Sequence, residues 1–267
     1  MTRSASGRIS IRNLNVAFTL RRRRPLVAVE DVSLEIAPGE FVALLGPSGC
    51  GKTTVLNAIA GFVAPVGGEV LIDDCKVEGS SDQCGIVFQQ NSLFPWMTAQ
   101  QNVAFGPEMK RMTDAKAIAS RYLAQVGLSG FEHAYPATLS GGMRQRVGIA
   151  RALASGASIL LMDEPFGALD AQTRGLMQEQ LLEIWDRHRK TVVFVTHDID
   201  EAIFLADRVV VMGIQPGHVR EDFPIHLPRP RDAHLRHRPE YVAIHSAISD
   251  VIREESLKSF QEAAHVR

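Results

Sequence analysis

Apolar positions in the first part of the chain follow the two-residue period of β-strands. Alternation of apolar and polar residues over 32–36 predicts a strand at 27–36, which follows an earlier one at 9–18. A continuous apolar run over 41–45 predicts a strand with both faces buried. A glycine-rich loop separates this run from a helix-like segment at 54–60, so the local order is strand, loop and helix.

The pattern becomes helical in the middle of the chain and returns to strands afterwards. Helices are predicted at 113–126, which contains neither glycine nor proline, and from Ser140 to Leu153. Further signals predict strands at 69–73, 84–88, 159–162, 191–195 and 208–212, a hairpin at 216–217 and a last helix at about 239–256. Two of the strands end in polar pairs, Asp163-Glu164 and Thr196-His197, as expected for a parallel sheet with a site at its carboxyl edge.

The loop between the strand at 41–45 and the following helix matches the pattern G-x-x-x-x-G-K-[ST]. Its residues are Gly46, Pro47, Ser48, Gly49, Cys50, Gly51, Lys52 and Thr53. Glycines allow backbone N–H groups to surround a phosphate, and the N-terminal end of the helix adds positive potential. Lys52 can reach the β- and γ-phosphates, while Thr53 offers a hydroxyl to Mg²⁺. A glycine turn with a surface lysine is the alternative, and the flanking strand and helix favour a nucleotide site.

Composition narrows the classes of protein that this sequence can specify. The 267 residues carry a formal net charge of −1, so no overall field favours nucleic acid. Cys50, Cys75 and Cys84 are too few and too scattered for a disulfide framework or a C-x-x-C metal site. No apolar stretch approaches the roughly 18 residues of a membrane-spanning helix, and residues 1–8 do not begin a signal peptide. The run Arg21–Arg24 is interpreted as a solvated loop, with a lipid or ligand contact as the alternative.

Two further stretches carry groups suited to phosphate chemistry. Asp163 can hold Mg²⁺ through water, and Glu164 can orient or deprotonate the water that attacks the γ-phosphate. Many strands end in an acidic residue, so this pair indicates a catalytic role only because the chain also contains the phosphate loop. In 139–146, Ser140 is a good N-cap and two glycines expose N–H groups at a helix start. An ordinary helix cap is the alternative; a second anion-binding helix end can hold the γ-phosphate if two copies face each other.

From about residue 9 to residue 225 the chain resembles the ATP-binding-cassette (ABC) family, the ATPase subunits of ABC transporters. The Walker A loop, the family signature and Walker B are matched by Gly46 to Thr53, Leu139 to Gln145 and Ile159 to Glu164. The D-loop, the Q-loop glutamine, the switch histidine and the adenine-stacking aromatic residue are matched by Ala168-Leu169-Asp170, Gln89, His197 and Phe18. Met143 departs from the commonest signature, which has glutamine there, whereas the γ-phosphate contacts of the family fall on Ser140 and Gly142.

The resemblance implies an α/β fold, with a phosphate-loop ATPase core of mixed sheet, an antiparallel β subdomain and an inserted helical subdomain. The core would span about 1–90 and 156–230, the helical subdomain about 91–155, and a C-terminal helical tail 231–267. ATP and Mg²⁺ are the implied ligands. Catalytic roles fall to Lys52, Glu164 and His197, and metal binding to Thr53, Gln89 and Asp163. The implied nucleotide-binding residues are Phe18, Gly46, Pro47, Ser48, Gly49, Cys50, Gly51, Lys52, Thr53, Thr54, Ser140, Gly141 and Gly142.

Four of these residues have plainer alternatives. Gln89 could be a surface glutamine, and His197 a structural histidine. Phe18 could be a core residue, and Cys50 a side chain that only fills space in the loop.

An apolar aromatic cluster at 91–97 directly follows Gln89. We interpret it as the docking surface for a coupling helix of a membrane subunit, with an ordinary small core as the alternative. The segments that most resemble the nitrate, sulfonate and taurine branch of importers are 94–96, 139–153, 162–174, 196–212, 228–231 and 238–241. The resemblance implies a homodimer of ATPase subunits, peripheral to the cytoplasmic face of the inner membrane, with integral-membrane permease subunits and, indirectly, a periplasmic solute-binding protein.

Two other classes compete with an importer ATPase. A soluble cassette ATPase that acts on DNA or the ribosome usually carries a long coiled coil or two cassettes, whereas this chain has one cassette and no heptad run. A phosphate-loop small-molecule kinase is disfavoured by the signature stretch and by His197.

Overall fold

The computed structural model describes residues 6–19, 25–90, 92–167 and 169–265. The chain divides into two compact units. The first unit is made of two segments, up to Ser81 and from Thr191, and the second is the single segment Asp82–Lys190. The arginine run predicted to be a loop, Arg21–Arg24, lies outside the described residues, as do residues 1–5, Asn91 and Ala168.

The described residues form ten strands and seven α-helices. In chain order they are β1 (Ile9–Phe18), β2 (Leu26–Ile36), β3 (Phe41–Leu45), α1 (Lys52–Ile59), β4 (Gly67–Ile72), β5 (Cys75–Lys76), β6 (Cys84–Val87), α2 (Ala99–Met109), α3 (Ala115–Gln125), α4 (Gly141–Ala154), β7 (Ile159–Asp163), α5 (Ala171–His188), β8 (Thr191–Thr196), α6 (Ile199–Leu205), β9 (Arg208–Gly213), β10 (His218–Pro224) and α7 (Pro239–His265). Short 3-10 helices lie at Pro136–Thr138 and Ala233–His237.

An antiparallel sheet in the first unit has the strand order β2-β1-β4-β5. Ile9 of β1 pairs with Ile36 of β2 on one side and with Ile72 of β4 on the other. In β2 the apolar residues at 32, 34 and 36 are buried and the polar residues between them are exposed. The strand predicted from this alternation is therefore confirmed, since one face of the sheet packs on the core.

A mixed arrangement in the same unit has β3 at its centre, with β8 and β9 on either side and β10 next to β9. β8 and β9 run parallel to β3, whereas β10 is antiparallel to β9. Every residue of β3 is buried, as its continuous apolar run predicted. Leu45 pairs with both Thr196 and Val211, so the three parallel strands end at one edge.

The second unit contains the parallel pair β6 and β7 and the helices α2 to α5. α2 packs against α3 and α4. The helices predicted at 113–126 and from Ser140 are confirmed as α3 and α4, and Ser140 is the N-cap of α4. α2 was not predicted individually, although Thr98 and Gln101 form the capping box that opens it.

The last part of the chain belongs to the first unit. The hairpin predicted at 216–217 joins β9 to β10. α7 begins at Pro239 as predicted, but it continues to His265 rather than ending near Ser256. Residues 257–265 contain neither glycine nor proline, so no helix-breaking residue ends it earlier. Within the described residues, no helix combines the length and the apolar character needed to span a bilayer.

Candidate nucleotide site

The phosphate loop joins β3 to α1, and close packing requires glycine at two of its positions. A Cβ on Gly46 would lie 2.6 Å from the Met212 carbonyl oxygen and 2.8 Å from Cys50 Sγ. Gly51, the N-cap of α1, has a φ of +87°, and a Cβ there would lie 2.7 Å from Val29 Cγ2. The loop is therefore packed tightly against β2 and β9, where only residues without a side chain fit.

Lys52 lies inside the loop rather than on the surface. Its Nζ donates hydrogen bonds to the carbonyl oxygens of Gly46 at 2.7 Å and Pro47 at 2.9 Å, and it lies 3.5 Å from Cys50 Sγ. Only 6% of the residue is exposed. The surface-lysine alternative is therefore wrong, because the loop holds a buried ammonium group at the place where a phosphate would carry negative charge.

The outer side of the loop is accessible. Ser48, Gly49 and Thr53 are exposed, and Thr54 is half-buried. α1 begins at Lys52, so the N–H groups of its first turn and the positive end of its dipole point toward the loop. Backbone donors, an ammonium group and hydroxyls thus belong to one loop, and this combination of groups favours the binding of a polyphosphate.

Cys50 lies completely buried in the loop. Burial raises the pKa of its thiol, and the Lys52 ammonium acts in the opposite direction without cancelling the rise. The thiol therefore stays protonated at neutral pH and packs as a small apolar group. This agrees with the interpretation of Cys50 as a residue that fills space in the loop.

His197 leaves the sheet beside the phosphate loop. Leu45 at the end of β3 pairs with Thr196 at the end of β8, so the loop and His197 begin at neighbouring positions of one edge. His197 is exposed. The Thr196 hydroxyl donates to the buried carboxylate of Glu201 at 2.7 Å, and Asp198 N–H donates to Thr196 Oγ1 at 3.0 Å. Glu201 was not singled out from the sequence, although Asp198 and Glu201 have the D-x-x-E spacing of a helix start.

Phe18 ends β1 in the first unit, opposite Leu26 of β2. It is 39% exposed, so it is not a core residue. The ring face of an exposed aromatic residue can stack on a nucleobase. Stacking of Phe18 on adenine stays a prediction.

In the second unit β7 ends in the two predicted carboxylates. All five residues of β7 are buried, including Asp163 at 9% exposure. Glu164 follows with a φ of +43°, in the left-handed region that non-glycine residues rarely adopt. Gly167 N–H donates to the Glu164 carbonyl oxygen at 3.1 Å and closes this turn. Neighbouring carboxylates therefore have different environments, one at a buried strand end and one in a half-buried turn.

Gln89 and Glu164 are brought together, although 75 residues separate them. β6 runs parallel to β7, with Val87 opposite Met162, so both chains leave their strands at the same edge. The Gln89 amide Nε2 donates a hydrogen bond to Glu164 Oε2 at 3.0 Å. This contact favours a functional role for Gln89 over the surface alternative, because it ties Gln89 to the predicted catalytic carboxylate.

The predicted metal ligands are the Thr53 hydroxyl, the Gln89 amide oxygen and the Asp163 carboxylate. All three are oxygen donors, and Mg²⁺ binds through one or two protein oxygens, phosphates and water. Among the residues that the structure describes, no group of three or more His, Cys, Asp or Glu is arranged to hold a metal. The oxygen chemistry of each of these three side chains suits Mg²⁺.

The signature stretch opens α4 in the second unit. Ser140 Oγ accepts a hydrogen bond from Met143 N–H at 3.2 Å, and a Cβ on Gly142 would lie 3.0 Å from Leu169 Cδ2. Leu169 and Asp170 belong to the segment that resembles the D-loop, whose Ala168 lies outside the described residues. Asp170 accepts from Thr173 N–H at 3.0 Å and caps α5. The glycines at the start of α4 leave backbone N–H groups at a helix N-terminus, as an anion site requires.

We define the aromatic patch as Phe94, Trp96, Met97 and Phe105, in the second unit. The ring of Phe94 lies 5.6 Å from Trp96 and 4.8 Å from Phe105, between centroids. Trp96 is 68% exposed. The fully buried Asn102 donates to the carbonyl oxygens of Phe94 and Met97 at 3.1 and 3.0 Å. A firmly held loop therefore presents an exposed tryptophan, which favours a docking surface over a small core.

Comparison with known proteins places these features in a family. The family model described as ABC transporter matches residues 29–167. An uncharacterized ABC transporter ATP-binding protein of Methanocaldococcus jannaschii is 46% identical over 256 residues, which cover 95% of this chain and 94% of that protein. A nitrate import ATP-binding protein of Synechocystis is 43% identical (92% and 95% covered), and a taurine import ATP-binding protein of Roseobacter denitrificans is 44% identical (80% and 81%).

A solved structure shares the fold. The dimeric structure of a post-hydrolysis state of the ATP-binding cassette MJ0796, bound to ADP and Pi, matches with a TM-score of 0.74 and 33% identity, covering 82% of this chain and 100% of that one. The α/β cassette fold and the ABC resemblance expected from the motifs are thus confirmed. The chain belongs to the ABC transporter family, as an ATP-binding subunit that hydrolyses ATP.

Proposed function

We propose that this chain is the ATPase subunit of an ABC importer for a small solute such as nitrate, a sulfonate or taurine. The relatives named for nitrate and taurine import support this proposal, since each covers at least 80% of the chain. The observation that carries the coupling to transport is the hydrogen bond from Gln89 to Glu164. Gln89 precedes the loop that bears Phe94, Trp96 and Met97 of the aromatic patch, so docking at the patch acts on the catalytic carboxylate through one side chain.

The chain binds ATP through the phosphate loop. Lys52 gives up its bonds to the loop carbonyls and binds the β- and γ-phosphate oxygens, while the N–H groups of Ser48, Gly49, Cys50 and Gly51 surround the phosphates. Pro47 has no N–H group and contributes to the loop through its shape. Thr54 adds a contact in the first turn of α1. Phe18 stacks on adenine.

Hydrolysis relies on positioned charge rather than on covalent chemistry. Thr53, Gln89 and Asp163 would hold Mg²⁺, which would supply positive charge against the phosphate oxygens. Glu164 orients or deprotonates the attacking water. His197 donates a hydrogen bond to the γ-phosphate and stabilises its developing charge.

Two copies of the chain act as a facing homodimer in this proposal. Ser140, Gly141 and Gly142 of one copy bind the γ-phosphate of the nucleotide held by the other. Permease subunits dock on the aromatic patch at the cytoplasmic face of the inner membrane, and a periplasmic solute-binding protein acts indirectly through them. The domain layout inferred from the sequence, a core at about 1–90 and 156–230 with a helical subdomain at about 91–155, belongs to the same proposal.

The variant Glu164→Gln tests this proposal, with Asp163→Asn as its matched control. Glu164→Gln keeps the size of the side chain and an oxygen that can accept from Gln89, but it removes the charge that acts on water. ATP binding should survive, and hydrolysis should fall by about 10²-fold or more. Because ATP then persists, light scattering should show that ATP converts the variant from monomer to dimer.

Asp163→Asn should instead weaken Mg²⁺-dependent binding and give no ATP-dependent dimer. A Glu164→Gln protein that hydrolyses ATP at the normal rate, or that stays monomeric at saturating ATP, would falsify the proposed mechanism. If no integral-membrane protein co-purifies with the wild-type chain, a soluble ATPase is favoured instead.

A further inference from the structure

The helix α6, which follows His197 after one residue, is held at its C-terminal end by the chain beyond β10. Arg231 is 6% exposed and donates from Nη1 to three carbonyl oxygens at 2.8–3.0 Å, those of Ile203, Phe204 and Ala206. Arg229 Nη2 donates to the carbonyl oxygen of Leu205 at 3.0 Å. The last carbonyls of a helix have no partner within the helix, so two arginines of the C-terminal segment complete this end of α6.

The N-terminal end of α6 is held by α7. The Tyr241 hydroxyl donates to Asp200 Oδ1 at 2.6 Å, and Asp200 lies in the first turn of α6. Tyr241 is only 2% exposed. His245 lies one turn further along α7, with its ring stacked on Tyr241 and its Nε2 4.0 Å from the same carboxylate oxygen. A buried phenol and an imidazole therefore face one carboxylate of α6.

A continuous set of hydrogen bonds leads from this turn of α6 to the residues on either side of His197. Asp198 Oδ1 accepts from Glu201 N–H at 3.1 Å. The Glu201 carboxylate accepts from the Thr196 hydroxyl at 2.7 Å, and the same hydroxyl accepts from Asp198 N–H at 3.0 Å. Thr196 and Asp198 flank His197, so a shift of the first turn of α6 displaces the backbone of His197.

The far part of α7 is fixed to another element of the first unit. Glu255 has no exposed surface, and its carboxylate accepts from Ile214 N–H at 3.2 Å, next to the hairpin that joins β9 to β10. Lys258 donates to the same carboxylate, and Arg220 Nε of β10 lies 3.5 Å away. Ile248, between Tyr241 and Glu255, is completely buried. α7 is thus held along its length, so Tyr241 cannot follow α6 if α6 moves.

We propose that α7 positions His197 for ATP hydrolysis, with Tyr241 acting as a positioning residue through Asp200. This inference rests on the proposed role of His197 at the γ-phosphate. A phenylalanine at position 241 would pack equally well among apolar neighbours. The tyrosine adds a hydroxyl, and this hydroxyl makes a short hydrogen bond to the Asp200 carboxylate of α6. The C-terminal helix is therefore part of the hydrolytic machinery rather than an appendage.

The test is Tyr241→Phe, which removes one hydroxyl and keeps the ring in the core. The kcat for ATP should fall about threefold to tenfold, because a small displacement of a catalytic group is enough for such a loss. KM and the affinity for nucleotide should stay at wild-type values, since the phosphate loop is unchanged. Tyr135→Phe is the matched control, because Tyr135 is 49% exposed and lies outside this network.

Two further measurements separate positioning from a purely structural role. Asp200→Asn keeps an oxygen acceptor for Tyr241 and should retain most of the wild-type kcat, whereas Asp200→Ala should behave like Tyr241→Phe. In a double-mutant cycle, Tyr241→Phe should have no further effect on the residual kcat of His197→Ala, because the group through which it acts is already absent.

The outcomes distinguish this inference from the proposed function. If the wild-type chain shows no ATP hydrolysis, the proposed function fails. If the wild-type chain hydrolyses ATP, three results overturn the role of α7 while the proposed function stands. These are an unchanged kcat in Tyr241→Phe, a loss of kcat together with nucleotide affinity and thermal stability, and an undiminished effect of Tyr241→Phe in the His197→Ala background.

Discussion

Replacement of Lys52 tests the phosphate loop, and the structure sets the size of the expected effect. In the structure, the Lys52 ammonium donates to the carbonyl oxygens of Gly46 and Pro47, at 2.7 and 2.9 Å. Binding of ATP therefore exchanges two neutral acceptors for charged phosphate oxygens. The donor is charged in both cases, and hydrogen bonds that involve a charged group span about 1.5–3 kcal/mol. The exchange of a neutral acceptor for an anionic one therefore adds about 1–1.5 kcal/mol per bond, or about 2–3 kcal/mol for two bonds. That difference corresponds to a roughly 30- to 150-fold loss of ATP affinity in a variant without the ammonium group.

Lys52→Met is the preferred variant, because it keeps the apolar stem inside the loop, and Lys52→Ala is its comparison. Calorimetric titration with ATP and Mg²⁺ gives the affinity, and a thermal melt of each variant shows whether the loop still folds. We expect both variants to fold, with Lys52→Ala less stable because it also loses packing in the loop. A Lys52→Met protein that binds ATP within about threefold of wild type would refute the proposed exchange of acceptors.

Two more predictions concern the aromatic patch and the carboxylate of Asp73, which follows β4. Trp96→Ala should weaken assembly with permease subunits while basal ATPase activity survives. Phe131→Ala is the control, because Phe131 is also exposed, and it should not weaken assembly. Unchanged assembly and transport in Trp96→Ala would show that the patch is ordinary packing. The Asp73 carboxylate accepts hydrogen bonds from the hydroxyl and N–H of Ser6 and from the N–H groups of Gly7 and Arg8. Burial raises the pKa of this carboxyl, but the hydrogen bonds lower it by more, so the folded pKa lies below the unfolded one. The free energy of unfolding in urea should therefore be higher for wild type than for Asp73→Asn at pH 6, and this difference should disappear as the pH falls below about 4. A difference that is independent of pH would contradict this assignment.

Local patterns were enough to predict most of the strands and the phosphate loop, although the short strand β5 was not predicted. The alternation in β2 and the apolar run of β3 each report burial of specific faces, and the structure confirms both. Ser140 also marked the start of α4 correctly, because an N-cap acts within one turn. α2 was harder to see, since Gly106-Pro107 near its end reads as a break, whereas Thr98 and Gln101 do signal its start.

Contacts between distant residues could not be predicted from the sequence. Gln89 and Glu164 meet because two parallel strands end at one edge, and neither residue carries a local signal of the other. The bond from Tyr241 to Asp200 is of the same kind, since it depends on where α7 packs. A family resemblance assigns roles to matched positions only, so it says nothing of Asp200, Glu201 or Tyr241.

The position of β3 between β8 and β9 has a consequence for the synthesis of this chain. β3 ends at Leu45, but its two neighbours lie at 191–196 and 208–213. At about 5–20 residues per second, the ribosome needs on the order of 10–30 s between completing β3 and completing β9. The second unit, Asp82–Lys190, is continuous and is complete before that time. The apolar strand that carries the phosphate loop is therefore made long before its two neighbours, and its apolar side chains stay unpaired with them in the nascent chain until β9 is complete.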